Sequence, residues 1–222
     1  MKKAISSIVK IFICFVLFIA IQLVGLTGVR SFGQGLAGEG IRLAIFMIAL
    51  VICTVVLVYL VNTWGDREAL RRKLFNVQEI KWVLTSFLCN MVLVYAFLGL
   101  AYLMGMPVDS SGSRSAFHSF QQSGWLQATL FLLTTSITQP MLEEFLFRGV
   151  IQGYLEKYSS LFALFLSAFL FGYAHNGALL SEQLITGLIL GVLYLKRRNL
   201  YSCWLLHGMI NGTVTLLYFL FL

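Results

Sequence analysis

Three short polar motifs stand in otherwise apolar sequence in the C-terminal half of this chain. They read EExxxR at 143–148, FxxxH at 171–175 and HxxxN at 207–211. Carboxylates and imidazoles can exchange protons near neutral pH, and an amide can stabilise a developing negative charge. Brought together, side chains of these types could activate water for hydrolysis.

The first motif contains two acids that we expect to behave differently. Glu144 and Arg148 are four residues apart, so on a helix they can form an ion pair. Glu143 points about 100° away from that face and is left as the unpaired, titratable acid. Pro140 bends the helix just before the acids, because it cannot donate to the carbonyl of Ser136. A structural clamp between helices would use the same residue types, and for Glu144 and Arg148 it is an equally good interpretation.

The other two motifs carry imidazoles on separate helices. His175 alone would suit a satisfied core position, whereas His207 and Asn211 share one face of their helix. Counting from the predicted helix ends places Glu143, His175, Asn211 and His207 roughly 20, 22, 18 and 12 Å deep. Small-xxx-small glycine pairs in this half predict close helix approach; they are Gly149/Gly153, Gly187/Gly191 and Gly208/Gly212.

The elements that must position these residues lie in a membrane. Charged residues make up 11% of the 222 residues and hydrophobic residues 59%, which is too little charge for the surface of a soluble protein. The four cysteines lie in apolar runs and form no CxxC pair. The sequence therefore favours neither a disulfide framework nor a thiolate metal site.

Intervals without charge predict about seven spans. The first resembles a secretory signal, but its apolar core is about 19 residues long, so we predict a retained span. The seventh interval, 183–195, becomes a span only if it starts near Ala178. The remaining predicted spans are 11–29, 43–65, 82–108, 115–142, 158–181 and 199–222.

The basic residues predict the orientation of these spans. With the N-terminus inside, thirteen Lys and Arg residues fall in inner segments and three in outer loops, as the positive-inside rule requires. We therefore expect a multi-pass cell-membrane protein with a cytoplasmic N-terminus and an external C-terminus. The net charge of +7 is explained by this orientation, and no nucleic-acid partner is predicted.

The chain divides by polar content. Residues 1–124 are predicted to be a three-span scaffold, and 125–222 a four-span functional core. In the scaffold, 64–81 predicts a basic helix lying at the inner interface against anionic lipid, or equally a basic loop that only sets topology. His118, in a polar outer loop, is expected to be a solvated surface residue.

In this order on successive spans, the three motifs resemble those of the CPBP family of intramembrane proteases. This family comprises CAAX prenyl endopeptidases and bacterial relatives linked to bacteriocin processing and self-immunity. The resemblance covers about residues 124–222, and it depends on the order of the motifs because each alone is short. It implies an all-α, polytopic helical bundle whose last four spans form the catalytic core.

The resemblance also implies roles for the motif residues. Glu143 would be the general base that activates water, and His175 would help to hold that water. His207 and Asn211 would face the scissile carbonyl and stabilise the oxyanion. Supporting positions are Glu144 and Arg148, which would position the catalytic glutamate, and Phe171 of the second motif.

Metal dependence stays open at this point. The family has been called metalloprotease, and Glu143, His175 and His207 would suit zinc with one position left for water. Asparagine is a poor zinc ligand and a good oxyanion donor, so the HxxxN motif favours metal-free hydrolysis.

The sequence therefore predicts an intramembrane endopeptidase whose partners are the lipid bilayer and a membrane-associated protein or peptide substrate. The rival interpretation is a non-enzymatic bacteriocin-immunity or transport protein that uses the same polar cluster for binding. That rival predicts continued function after Glu143→Gln. Related halves, which many transporters show, are not evident here, since the two halves differ sharply in polar content.

Overall fold

The computed structural model describes residues 39–73, 76–106, 132–176 and 180–221, with Thr129 and isolated residues between 9 and 20. Within these ranges every regular element is helical and no strand occurs, which confirms the all-α prediction. The helices are α1 (Glu39–Thr63), α2 (Arg67–Arg71), α3 (Val77–Leu103), α4 (134–155), α5 (Ser160–Asn176), α6 (Glu182–Arg197) and α7 (Leu200–Phe221).

Polar side chains define several helix ends. The Asp66 carboxylate accepts from the backbone N–H groups of Glu68 and Ala69 and so begins α2. Asn76 and Ser181 cap α3 and α6 in the same way. These caps satisfy donors that a helix start leaves without an intrahelical partner.

Helix α4 carries the first motif and is irregular along its length. It runs from π-helical Thr134–Thr138 through α-helical Gln139–Glu144 and π-helical Phe145–Gln152 to α-helical Gly153–Leu155. Pro140 has no N–H, so the turn before it lacks one intrahelical donor. Helix α7 donates to this segment through two side chains: Asn211 Nδ2 reaches the Thr135 carbonyl at 3.0 Å and Trp204 Nε1 the Ile137 carbonyl at 2.8 Å.

Glycines let the helices of the C-terminal half approach closely. A Cβ on Gly208 would stand 2.4 Å from the Ser136 carbonyl oxygen, and one on Gly187 would stand 3.0 Å from the Ala168 carbonyl oxygen. Helix α6 packs chiefly on α5 and α3, and α7 packs on α3 and on α4. The predicted role of the small-residue pairs is thus visible at the α4–α7 and α5–α6 contacts.

One end of the bundle, which we call the base, gathers the ends of α1, α4 and α6 and the starts of α3, α5 and α7. Here the turn after α1 is fixed to the core through Asp66. Its N–H donates to the Gly149 carbonyl at 3.1 Å, while its Oδ2 accepts from the Tyr194 hydroxyl at 3.0 Å and from Arg198 at 3.2 Å. A Cβ on Gly65 would stand 1.9 Å from the Gly149 oxygen, so only glycine fits this approach.

The predicted spans correspond to helices wherever the structure describes them, with shifted bounds. Among these residues, Val77–Leu103 is the one helix both long and apolar enough to cross a membrane by composition, while Ile48–Thr63 and Ser160–His175 are shorter apolar stretches. Helix α6 begins at Glu182 and has 16 residues, fewer than the roughly 20 of a perpendicular span. Most of the predicted first span and His118 lie outside the described residues.

The basic segment 64–81 does not form the single helix that its apolar spacing predicts. The structure has the short α2 (Arg67–Arg71), a break, and then α3 from Val77. Because Asn76 caps a new helix, Val77 and Lys81 belong to the long apolar α3 instead.

Candidate active site

Glu143 lies buried in α4, and its two oxygens have different surroundings. Oε1 accepts a hydrogen bond from Gln139 Nε2 at 2.9 Å. Oε2 lies 3.4 Å from His175 Nε2 and 3.8 Å from His207 Nε2. Glu143 does not pair with Arg148, as predicted, but the expectation that it has no partner is wrong, because a glutamine and two imidazoles surround it.

His175 is held at the end of α5 by its own helix. Its Nδ1 lies 2.7 Å from the Phe171 carbonyl oxygen, so Nδ1–H donates and Nε2 is left facing Glu143. The Phe171 ring packs on the imidazole with centroids 4.4 Å apart. The spacing in FxxxH therefore serves both a backbone hydrogen bond and a ring contact.

Glu144 and Arg148 form the predicted ion pair, with Nη1 2.9 Å from Oε1 and both side chains fully buried. The same Oε1 lies 2.9 Å from His207 Nδ1. Arg148 Nη2 also donates to the Gly187 carbonyl at 3.0 Å. The pair is thus both a clamp onto α6 and a holder of His207, which turns the His207 Nε2 toward Glu143.

Phe171 lies at the centre of this arrangement. The Arg148 guanidinium carbon is 4.6 Å from its ring centroid, and the His207 ring meets it edge-on at 5.4 Å. The ring is buried. It therefore packs against both imidazoles and against the Arg148 guanidinium.

Asn211 lies about one turn beyond His207 on α7. Its Nδ2 donates one hydrogen to the Thr135 carbonyl, and the structure does not join it to Glu143. Asn211 therefore braces α4 from α7, and its carboxamide carries a second amide hydrogen.

The charges in this cluster do not balance when both histidines are neutral. Glu143 and Glu144 carry two negative charges and Arg148 one positive charge. A buried net charge is costly, so one further proton on the histidine–Glu143 group stabilises the site. Side-chain exposure is 25% for His175 but 3% for Glu143 and for His207, so His175 is the most exposed of the three side chains.

Sequence reasoning missed several residues that shape the site. Gln139 is four residues before Glu143, and Gln152 is four residues after Arg148, donating to the Gly191 carbonyl at 3.1 Å. Both could have been found from i, i+4 spacing, as the Glu144–Arg148 pair was. Trp204 could not, because its acceptor is a main-chain carbonyl on another helix.

A metal set was one of the alternatives left open by the sequence. Among the residues that the structure describes, no group of three or more His, Cys, Asp or Glu side chains is arranged to hold a metal ion. Both Nδ1 atoms are engaged, by the Phe171 carbonyl and by Glu144. Metal-bound histidines use their other ring nitrogen in the same way, so these hydrogen bonds are compatible with either alternative, and no step below uses a metal.

Comparison with known proteins gives one match. Residues 125–213 match the family model described as type II CAAX prenyl endopeptidase Rce1-like. The matched range contains all three polar motifs and every side chain of the site described above. No curated protein and no solved structure matches the chain. The match confirms the family resemblance seen in the motifs.

Proposed function

We propose that this chain, whose residues 125–213 belong to the Rce1-like family of type II CAAX prenyl endopeptidases, is a glutamate-dependent intramembrane endopeptidase. The match to a family of membrane-bound proteases supports this proposal. The observation that supports the specific mechanism best is that Glu143 Oε2 faces the Nε2 atoms of both His175 and His207. Its substrate would be a membrane-associated protein or peptide.

The first step in this mechanism is activation of water. A water in contact with Glu143 Oε2 and His175 Nε2 gives its proton to the carboxylate, and its oxygen attacks the scissile carbonyl carbon. Gln139 occupies Oε1, so Oε2 is the oxygen available to take the proton. General bases placed in this way typically contribute about 10²–10⁴-fold to the rate.

The second step is stabilisation of the oxyanion that this attack creates. His207 Nδ1–H donates to Glu144, so a second proton on Nε2 gives a cation aimed into the site. The other amide hydrogen of Asn211 is the second donor. Glu143 then returns its proton to the leaving amine, the peptide C–N bond breaks, and the site is restored.

The hydrolysis proposed here is metal-free, with zinc on Glu143, His175 and His207 as the alternative. It is supported by the amide in the HxxxN motif, which is a donor rather than a good zinc ligand. We expect a chelator to leave cleavage unchanged. Loss of cleavage with the chelator, restored by added zinc, would contradict the metal-free mechanism.

We further propose that the protein is multi-pass in the cell membrane, with a cytoplasmic N-terminus and an external C-terminus. The support is the distribution of Lys and Arg in the sequence and the grouping of helix ends at the base. In this proposed arrangement the site would lie within the bilayer. The description of the family names prenyl substrates. The residues of the site do not themselves require a prenyl group on the substrate of this protein.

The test is a comparison of new protein N-termini in membranes that express wild type or Glu143→Gln at matched levels. The amide cannot accept the proton from water but keeps the shape and burial of the side chain. We expect termini present only with wild type, at positions that reveal the substrate. Equal termini with a folded variant and a known substrate present would favour the non-enzymatic immunity or transport function.

A further inference from the structure

The base of the molecule has an excess of positive charge. Residues 64–81, 156–157 and 196–198 include nine Lys and Arg residues but only four Asp and Glu residues. They meet at the base because Asn199 donates to the Lys73 carbonyl at 3.1 Å and Lys157 donates to the Trp64 carbonyl at 3.1 Å. The charge excess is therefore one surface and not three separate loops.

Three of the four acids are paired with two arginines. Arg197 Nε donates to Glu79 Oε1 at 3.0 Å, and Ser202 donates to the other Glu79 oxygen at 2.8 Å. Arg198 pairs with both Asp66 and Glu156. Burial alone would lower the pKa of Arg198, but Glu156 and Asp66 raise it above its ordinary value, so this arginine stays charged and keeps its partners.

The seven remaining cations are exposed and have no ion pair among the residues that the structure describes. One of them, Lys157, donates to the Trp64 carbonyl. We name the other six the cationic shelf; it consists of Arg67, Arg71, Arg72, Lys73, Lys81 and Lys196. Glu68 is the one acid of this region that is itself exposed. A concentration of unpaired cations is costly by self-repulsion, and an anionic partner removes that cost.

The surroundings of the cationic shelf are those of a membrane interface. Exposed apolar side chains of α3 begin beside it, with Val77 69% exposed and Leu84 47% exposed. Trp82 is exposed near Arg197, whose guanidinium carbon is 5.9 Å from the ring centroid. Tryptophan is enriched at the level of lipid headgroups, so this grouping of cations, a tryptophan and exposed apolar side chains is typical of a membrane interface.

We infer that the cationic shelf binds the headgroups of anionic phospholipids, with the arginines of α2 and the α6 lysine Lys196 contacting phosphate. Arginine forms paired hydrogen bonds with phosphate oxygens. The tie between Lys73 and Asn199 joins the two groups of cations, so bound lipid would stabilise the link between the α1–α3 part and the α6–α7 turn. This inference does not depend on proteolysis.

The experiment measures thermal unfolding of the full chain in neutral detergent micelles as lipid is added. Phosphatidylglycerol is compared with phosphatidylcholine for wild type and for R67Q/R71Q/R72Q/K73Q. The matched control is R67K/R71K/R72K, which keeps the charge. A ligand that binds only the folded state raises the unfolding temperature with concentration.

We expect phosphatidylglycerol to raise the unfolding temperature of wild type and of the lysine control, and phosphatidylcholine to have little effect. The quadruple glutamine variant should need at least about tenfold more phosphatidylglycerol for the same shift, since each cation adds to the attraction. Salt at about 0.5 M should shrink the shift, because it screens exposed charges. Equal shifts for wild type and the glutamine variant, equal shifts with the two lipids, or no shift with either lipid would overturn the inference. If the glutamine variant does not fold, the lipid comparison on wild type and the lysine control decides the result.

Discussion

At the scale of single residues, the two oxygens of Glu143 are not equivalent. Gln139 holds Oε1 through its amide, so Oε2 is turned to the imidazoles. A hydrogen bond to a charged group contributes about 1.5–3 kcal/mol. Gln139 is therefore a positioning residue in the proposed mechanism, since it acts through Glu143.

The substitution Gln139→Leu tests whether Gln139 positions the Glu143 carboxylate. We expect kcat to fall about 10–100-fold with little change in KM, because the carboxylate loses its fixed orientation while the substrate site is kept. The acidic limb of the pH–rate profile should also move, which a purely structural effect would not cause. Gln78→Leu, exposed in the first turn of α3, is the control. Unchanged kcat and pH profile in Gln139→Leu would contradict this role.

At the same scale, the residue types and spacings predict part of the site. The Glu144–Arg148 pair followed from helical spacing, and convergence of Glu143, His175 and His207 followed from their estimated depths. The binding of His207 to Glu144 could not be predicted, because it depends on the rotation of α7 relative to α4. The hydrogen bond from Asn211 to the Thr135 carbonyl could not be predicted either. Its acceptor lies in a π-helical turn before Pro140, and hydrophobic periodicity does not indicate π-helical turns.

At the scale of elements, the contact between α4 and α7 sets the positions of His207 and Asn211. Gly208 lies between these two residues, and its missing side chain lets the Ser136 carbonyl approach. The approach is of main chain to main chain. Neither helix can yield at that point by moving a flexible side chain, so a methyl group must push the helices apart.

We expect Gly208→Ala to destabilise the protein by at least about 1–3 kcal/mol and to abolish most cleavage. Gly99→Ala is the matched control, because a Cβ there would meet nothing within 4 Å. Alanine is the better helix former by about 0.5–1 kcal/mol, so Gly99→Ala should be neutral or stabilising in thermal unfolding. Equal unfolding temperatures for the two variants would show that the α4–α7 contact is not tight.

At the scale of the whole molecule, α1–α3 are joined to the C-terminal half. Asp66 links the α1–α2 turn to α4 and α6, and α3 packs against α6 and α7. Composition predicts a division near residue 124, but composition cannot show how the two parts contact each other. Arg198, which forms ion pairs with Asp66 and Glu156 at the base, has a left-handed backbone with φ of 50°. This conformation is uncommon for a residue other than glycine, so composition gives no indication of it.

The proposed topology predicts different compartments for the base and the C-terminus. A fluorescent protein inserted after Lys73 should fluoresce, because that segment is assigned to the cytoplasm. Alkaline phosphatase fused after Leu222 should be active, because that end is assigned to the outside. The swapped pair of fusions is the control and should give no signal. A fluorescent C-terminal fusion would require an even number of spans or the opposite orientation.

The central claim is that Glu143 is the base that activates water. Its most direct measurement is the cleavage rate of wild type and Glu143→Gln, purified and reconstituted in liposomes, on a peptide chosen from the new termini. We predict a rate at least about 10²-fold lower for Glu143→Gln, with the unfolding temperature of the variant close to that of wild type. A folded Glu143→Gln protein that cleaves at the wild-type rate would contradict the mechanism.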